Sequence, residues 1–152
     1  DGEEFAFDGL RLKVLSIPGH TRGQVAFHIG DALFAGDTVF ALGCGRLLEG
    51  TPAEMFASLR RIHSLPPQTR LYFGHDYLER NAGFAASLFP GDAAVSARLA
   101  AGPSAPTLKD EERANPFFWS FLEPERLRSA LTMPQATDFE LFSELRRRRD
   151  SY

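Results

Sequence analysis

Three glycine-containing motifs constrain this chain most, because each follows a short apolar run that is typical of a buried strand. They are Pro18-Gly19-His20-Thr21, Ala35-Gly36-Asp37-Thr38 and Phe73-Gly74-His75-Asp76. Side chains at the ends of neighbouring strands can converge on one point, and His together with Asp suits zinc, iron or manganese. The sequence therefore predicts that His20, Asp37 and His75 meet in a metal site. Two histidines and one carboxylate are, however, too few to hold a closed pair of metal ions.

The composition is that of a soluble globular protein. Of the 152 residues, 43% are hydrophobic and 24% are charged, which are ordinary proportions for a folded domain. The formal net charge of −3 argues against general binding of nucleic acids or membranes. The single cysteine, Cys44, excludes an internal disulfide, and no signal peptide or membrane-length apolar run is present, so we expect a cytoplasmic location. The start at Asp1, without an initiating methionine, leads us to expect a piece of a longer protein.

Hydrophobic periodicity predicts strands in the first half of the chain and helices in the second. Alternating or short apolar runs predict strands at residues 10–17, 25–29, 32–35 and 70–73. Thr51-Pro52-Ala53-Glu54 is a capping box for a helix that ends before Pro66-Pro67. Helical spacing predicts further helices near residues 78–88, 92–101, 107–114, 124–131 and 137–149. We therefore predict a mixed α/β (α+β) fold.

The remaining histidines and the cysteine lack the setting of the three motifs. His28 lies inside an apolar strand and His63 lies within a helix, so both are interpreted as structural. Cys44 sits in a glycine-flanked loop, but no histidine is spaced to activate it as a nucleophile.

Further motifs carry a resemblance to a known family. Gly43-Cys44-Gly45-Arg46 leads to Glu49-Gly50-Thr51, and the second half contains Pro106-Thr107-Leu108, Asn115-Pro116-Phe117 and an arginine-rich final helix. With these residues the chain resembles the metallo-β-lactamase superfamily and, within it, the hydroxyacylglutathione hydrolases (glyoxalase II). The resemblance implies the C-terminal half of a metallo-β-lactamase-like αββα sandwich over residues 1–76. It implies an all-helical glutathione-binding domain over residues 77–152.

The resemblance also implies roles at a site with two divalent metal ions, zinc or else iron or manganese. His20 would complete the ligand set of one ion and His75 that of the other. Asp37 would bridge both ions as the catalytic carboxylate, because each of its oxygens has lone pairs to give. Metals held about 3.5–4 Å apart lower the pKa of a bridging water and polarise a carbonyl, which suits thioester hydrolysis.

Substrate binding is implied for four residues, namely Arg46, Tyr77, Arg146 and Arg149. Glutathione carries two carboxylates, and cationic side chains with several donors complement them. Arg146 and Arg149 lie three apart, so both project from one side of the last helical turn. The alternative is that the arginines form a solvated, dipole-matched helix end and that Tyr77 is a packing residue.

Two departures from the family pattern shape the expectations. The family's His-x-His-x-Asp-His motif, which supplies four metal ligands, is not in this chain. The missing N-terminal half would also supply a second sheet, so we expect an apolar sheet face that is covered by that half or by self-association. Leu48 stands where the family often has an aromatic hydroxyl, and losing one hydrogen bond costs about 0.5–1.5 kcal/mol. The thiol carrier could therefore differ from glutathione.

Three functions follow as hypotheses. The first is that the full-length protein hydrolyses S-(2-hydroxyacyl)glutathione thioesters, converting S-D-lactoylglutathione to D-lactate and glutathione in methylglyoxal detoxification, while this chain alone is inactive. The second is a non-catalytic, truncated module that binds glutathione thioesters. The third is a mononuclear-iron enzyme resembling a persulfide dioxygenase, which the Asn115-Pro116-Phe117 segment and the terminal arginines disfavour.

Overall fold

The computed structural model describes residues 1–152, apart from the side chain of residue 7. One sheet has the strand order β1-β2-β3-β4-β7. Its strands are β1 (Glu4–Phe7), β2 (Leu10–Ser16), β3 (Val25–Ile29), β4 (Ala32–Gly36) and β7 (Arg70–Phe73). The first four strands are antiparallel neighbours, whereas β4 and β7 are parallel. A parallel pair needs a crossover, and the helix between these two strands supplies it.

Between β4 and that helix lies a small hairpin, and most of the remaining chain is helical. The hairpin pairs β5 (Val39–Phe40) with β6 (Gly43–Cys44). The helices are α1 (Pro52–His63), α2 (Leu78–Leu88), α3 (Ala93–Ala100), α4 (Leu108–Ala114), α5 (Pro116–Leu122), α6 (Pro124–Leu131) and α7 (Asp138–Ser151). The predicted mixed α/β fold class is confirmed, and the predicted elements agree with these bounds to within two residues.

The exception among the helices is α5, which the hydrophobic pattern does not predict. Five successive residues, Pro116 to Ser120, are all buried. A helix that is buried on every side has no polar face, so the 3.6-residue alternation that marks an amphipathic helix is missing.

Three helices begin with the same capping box. In each, a threonine hydroxyl accepts from the backbone N–H three residues later, and the carboxylate there accepts from the threonine backbone N–H. The pairs are Thr51 with Glu54 on α1, Thr107 with Asp110 on α4, and Thr137 with Glu140 on α7. These hydrogen bonds lower the pKa of all three carboxyl groups, because they favour the charged form.

The two faces of the sheet have different environments. On the inner face Leu15, Ala26, Leu33 and Leu71 are buried in one apolar cluster that includes residues of α1. On the outer face the large apolar side chains are exposed: Phe5 by 53%, Phe27 by 41%, Phe34 by 43% and Tyr72 by 39%. Phe27, Phe34 and Tyr72 are neighbours in register across three strands. The outer face is therefore a continuous apolar surface.

None of the helices in the described part of the chain combines the length and the apolar character that a membrane crossing requires.

Candidate active site

The three glycine-containing motifs meet at Asp37. The Nε2 atom of His20 lies 3.4 Å from Oδ2 of Asp37, and the Nδ1 atom of His75 lies 2.9 Å from Oδ1. Asp37 directly follows β4 and His75 closely follows β7, and these adjacent parallel strands end at one edge of the sheet. The structure thus brings the three predicted ligands together around one carboxylate.

Two glycines allow the backbone to pass close to Asp37. A Cβ atom at Gly74 would lie 2.2 Å from Oδ1 of Asp37, and one at Gly45 would lie 1.8 Å from its carbonyl oxygen. Any side chain at either position would displace Asp37 or the neighbouring backbone. Glycine at positions 45 and 74 is therefore a steric requirement of the site.

The hydrogen bonding of His20 sets its tautomer. Its Nδ1 atom lies 2.8 Å from the carbonyl oxygen of Arg46, and a carbonyl only accepts, so Nδ1 carries the proton. In the neutral ring the Nε2 lone pair then faces a carboxylate oxygen of Asp37 with no proton between them. A histidine that binds a metal through one ring nitrogen usually donates the N–H of the other to a carbonyl or a carboxylate, and Nδ1 of His20 has this partner.

These donors fit part of a metal site rather than a complete one. Within the described residues, no group of three or more His, Cys, Asp or Glu side chains is arranged to hold a metal ion. The same limit follows from the donor count, since Asp37 and two histidines cannot enclose two ions.

A cavity of about 380 Å³ begins at Asp37 and extends to α7. Six of the seven predicted site residues line it, namely His20, Asp37, Arg46, Tyr77, Arg146 and Arg149. His75 does not line the cavity, but its ring stacks on Tyr77 with centroids 5.4 Å apart.

Sequence reasoning missed three residues of the cavity wall, namely Phe40, Arg80 and Asp150. Arg80 was detectable in principle, because it lies three residues after Tyr77 on α2 and therefore on the same helical face. Phe40 packs edge-on against Tyr77, with ring centroids 5.0 Å apart. It belongs to the short hairpin, for which the sequence has no periodic signal.

Positive charge is in excess in this cavity. Four arginines and two aspartates line it. Burial lowers the pKa of Arg149, and the nearby charges of Arg80 and Arg146 lower it further. Asp150 offsets part of this charge through an ion pair of 2.9 Å with Arg146. The surplus of guanidinium groups suits an anionic ligand.

The four consecutive arginines of α7 divide between two faces. Arg147 is exposed and Arg148 is half-buried; both pair with Glu144, and their hydrogen bonds lower the pKa of that carboxyl group to about 2. Arg146 and Arg149 are buried beside the cavity. The alternative interpretation, a solvated helix end, therefore applies only to Arg147 and Arg148.

The two inward arginines already make hydrogen bonds inside the protein. Nη1 of Arg146 donates to the carbonyls of Cys44 at 2.8 Å and Gly45 at 3.3 Å. Nε and Nη2 of Arg149 donate to Oδ1 of Asn81 at 3.1 and 3.0 Å. Both side chains therefore brace the cavity wall as well as contributing charge to it.

The remaining histidines and the thiol of Cys44 do not line the cavity. His63 pairs with Glu112 at 2.6 Å, and burial, followed by the charge of Lys13, lowers the pKa of His28. Burial raises the pKa of Cys44 to about 11, although Arg146 opposes the shift. A thiol in this state is protonated near neutral pH, which does not suit a nucleophile.

Comparison with known proteins first gives the class of protein. Residues 1–75 match the family model of the metallo-β-lactamase superfamily. ETHE1 from Myxococcus xanthus, a solved structure, shares the fold with a TM-score of 0.58 and 24% identity over 99% of this chain and 58% of that one. A solved structure of TTHA1623 in a di-iron-bound form has a TM-score of 0.50 and 36% identity, over 70% of this chain and 42% of that one.

The second half of the chain narrows this class. Residues 76–152 match the family model described as hydroxyacylglutathione hydrolase C-terminus. The chain therefore belongs to the hydroxyacylglutathione hydrolase family, as its motifs predicted. Relatives named hydroxyacylglutathione hydrolase are 42% identical in Methylococcus capsulatus and 44% identical in Maricaulis maris, each over 165 aligned positions and all of this chain. The chain spans 63% of the length of each of these relatives.

Proposed function

We propose that the protein, over the full length of its relatives, hydrolyses S-(2-hydroxyacyl)glutathione thioesters, with S-D-lactoylglutathione giving D-lactate and glutathione. The observation that carries the proposal is a single cavity that joins the His20–Asp37 pair to a cluster of arginines. The match of residues 76–152 to the hydrolase C-terminus supports it, as do the names of the relatives. The same match favours hydrolysis over the dioxygenase alternative. Removal of a thioester formed from methylglyoxal in the cytoplasm is the setting that we propose.

The reacting end of the substrate belongs beside Asp37. His20, Asp37 and His75 would be this chain's ligands to two divalent ions, zinc or else iron or manganese, and the superfamily match supports metal dependence. Bound there, such ions lower the pKa of a water molecule and polarise the thioester carbonyl. Asp37 directs one oxygen toward each histidine, which supports the bridging role that we propose for it. The thiolate product is stable at neutral pH and leaves without a strong general acid.

The thiol carrier belongs at the arginine end of the cavity. We propose that Arg46, Tyr77, Arg146 and Arg149 bind glutathione, whose carboxylates match the surplus of positive charge. Leu48 lines the same cavity and offers only apolar contact. The carrier's polar groups would therefore be recognised from the arginine side.

Substitution of an inward arginine tests the binding of the carrier. We expect Arg149→Glu, in the full-length protein, to raise the KM for S-D-lactoylglutathione at least about tenfold with a smaller effect on kcat, because uniform binding of the carrier is lost. Arg146→Glu should also lower kcat, since Arg146 holds the carbonyls of Cys44 and Gly45.

The chain provides a matched control for this experiment. Arg147→Glu changes the same charge on the same helix, but Arg147 is exposed and points away from the cavity. Steady-state kinetics should show an unchanged KM for the control. Equal KM values for Arg149→Glu and the wild type would refute the anchoring role.

The apolar outer face of the sheet is exposed in the isolated chain, so we expect another protein surface to pack against it. We propose that the N-terminal half found in the relatives covers it in the full-length protein and that copies of the isolated chain associate through it. Phe5, Phe27, Phe34 and Tyr72 are all at least 39% exposed there, and an apolar surface of this kind marks an interaction site.

Sedimentation velocity of the isolated chain tests the second part of this proposal. We expect concentration-dependent association. Phe27→Lys combined with Phe34→Lys should abolish it, because two aromatic side chains that would be buried between the copies are replaced by charged ones. Leu99→Lys is the matched control, since Leu99 is similarly exposed, at 41%, but belongs to α3 rather than to the sheet. Association that survives the double substitution would place the contact elsewhere.

The isolated chain itself has a second candidate function, which is binding without catalysis. The incomplete metal-ligand set of the described residues favours it. The sequence upstream of the codon for Asp1 separates the alternatives, because a His-x-His-x-Asp-His motif there supports the enzyme and a start codon close by supports the binding module.

A further inference from the structure

The β5–β6 hairpin and the residue after it are held by side chains from the helical half of the chain. We call residues 39–45 the hairpin segment. Nδ2 of Asn115 donates to the carbonyls of Phe40 at 3.2 Å and Gly43 at 3.0 Å. Oε2 of Glu111 accepts from the backbone N–H of Leu42 at 2.8 Å. Leu42 has a positive φ of 56°, a conformation that needs support from its surroundings.

Two further side chains complete this pattern. Nδ2 of Asn81 donates to the carbonyl of Ala41 at 2.8 Å, and Arg146 donates to the carbonyls of Cys44 and Gly45. From residue 40 to residue 45, every residue thus has a backbone group bonded to a side chain of the helical half.

The side chains that hold the segment are themselves fixed. Glu111 and Asn115 are fully buried. Nε of Arg98 donates to Glu111 at 2.6 Å, and Oδ1 of Asn115 caps α5 by accepting from the N–H of Phe117 at 3.0 Å. Because buried polar groups that lose a partner are costly, the arrangement has few alternatives.

Both ends of the hairpin segment lead into the candidate metal site. Asp37 lies two residues before it, and the N–H of Gly45 donates to the carbonyl of Thr38 at 3.0 Å. Arg46 follows it directly, and its carbonyl fixes the ring of His20. A displacement of the segment would move the acceptor that determines which nitrogen of His20 carries the proton.

We propose that Asn115, together with Glu111, is a positioning residue for the candidate metal site. It acts through the hairpin segment by fixing the carbonyl of Arg46, which keeps the proton of His20 on Nδ1 and leaves Nε2 free to bind a metal. This inference rests on the proposed function where it concerns metal binding. The helical half of the chain then positions His20, a metal ligand from the strand-containing half, in addition to binding substrate.

Asn115→Ser in the full-length protein tests the inference. Serine retains a helix-capping oxygen for the N–H of Phe117 but is too short to reach both hairpin carbonyls. In the metal-free protein, ¹⁵N chemical shifts of neutral His20 should show a loss of the Nδ1–H tautomer. Competition with a chromophoric chelator should show a loss of about 10–100-fold in zinc affinity, the usual effect of removing an outer hydrogen bond.

A matched control and a second variant make the outcome decisive. Thr137→Ala removes a helix cap that does not touch the hairpin, so it should change neither the tautomer nor the zinc affinity. If Asn115→Ser does not fold, Asn81→Ser removes the bond to Ala41 and carries the same expectation. A folded variant with the tautomer and zinc affinity of the control would overturn the inference. Neither readout needs substrate, so an absence of thioesterase activity in the wild type would refute the proposed function alone.

Discussion

Asp37→Ala in the full-length protein is expected to abolish both the binding of a metal pair and the hydrolysis of S-D-lactoylglutathione. Among the described residues, Asp37 is the one carboxylate in contact with both His20 and His75, so its removal leaves the two histidines with no shared partner. Metal content after dialysis and the steady-state rate of lactoylglutathione hydrolysis measure the two effects. We expect the rate to fall to that of the uncatalysed reaction.

Asp76→Ala is the control for this substitution. Asp76 belongs to the same motif as His75, but its carboxylate accepts from the N–H of Leu78 at the start of α2. Its loss should cost some stability in α2 and leave metal content unchanged. Full metal content and wild-type turnover in Asp37→Ala would show that the bridging role is wrong.

The isolated chain of 152 residues is expected to show no thioester hydrolysis, even with excess zinc. Within the described residues only a partial ligand set is assembled, around Asp37, and the family's four-ligand motif is not in the sequence. Two fixed ions can share the tasks of activating water and polarising the carbonyl, and one carboxylate with two histidines cannot hold such a pair. Turnover of lactoylglutathione by the pure chain would contradict this expectation.

Two controls separate this result from simple unfolding. The full-length protein, assayed in the same buffer with the same zinc concentration, should be active. Titration of the isolated chain with S-methylglutathione should show binding, because the arginines that line the cavity belong to this chain. Binding without turnover would locate the defect at the metal end of the cavity.

Much of the fold is predictable because its elements carry local signals. The sequence of β2 alternates in polarity, β3, β4 and β7 are short apolar runs, and α1 and α7 begin with capping boxes that can be read directly from the sequence. The short strands β5 and β6 carry no such signal. Their backbone is held by Asn81, Glu111 and Asn115, which come from distant parts of the chain. No local pattern can encode an element whose partners lie about 40 to 75 residues away.

The residues of the candidate site are likewise predictable where they carry a local sequence signal and not where their environment depends on distant residues. His20, Asp37 and His75 share a motif that a strand end explains, so their convergence can be expected. The inward direction of Arg146 and Arg149 follows from helical spacing only once the position of α7 is known. Glu111 resembles any solvated helix residue in the sequence, yet it is fully buried. Its environment depends on Arg98 and Leu42, which only the folded structure brings to it.

The three capping boxes also determine how the fold responds to acid. Hydrogen bonds from threonine lower the pKa values of Glu54, Asp110 and Glu140 in the folded state. The stability that they contribute is therefore complete above the ordinary carboxyl pKa and is lost as the pH falls through the lowered values. As each of these carboxyl groups is protonated, the first turn of its own helix, α1, α4 or α7, loses its capping interaction. Sensitivity to low pH is thus located at the beginnings of three helices: the crossover helix α1, the helix α4 that carries Glu111 and the helix α7 that carries the inward arginines.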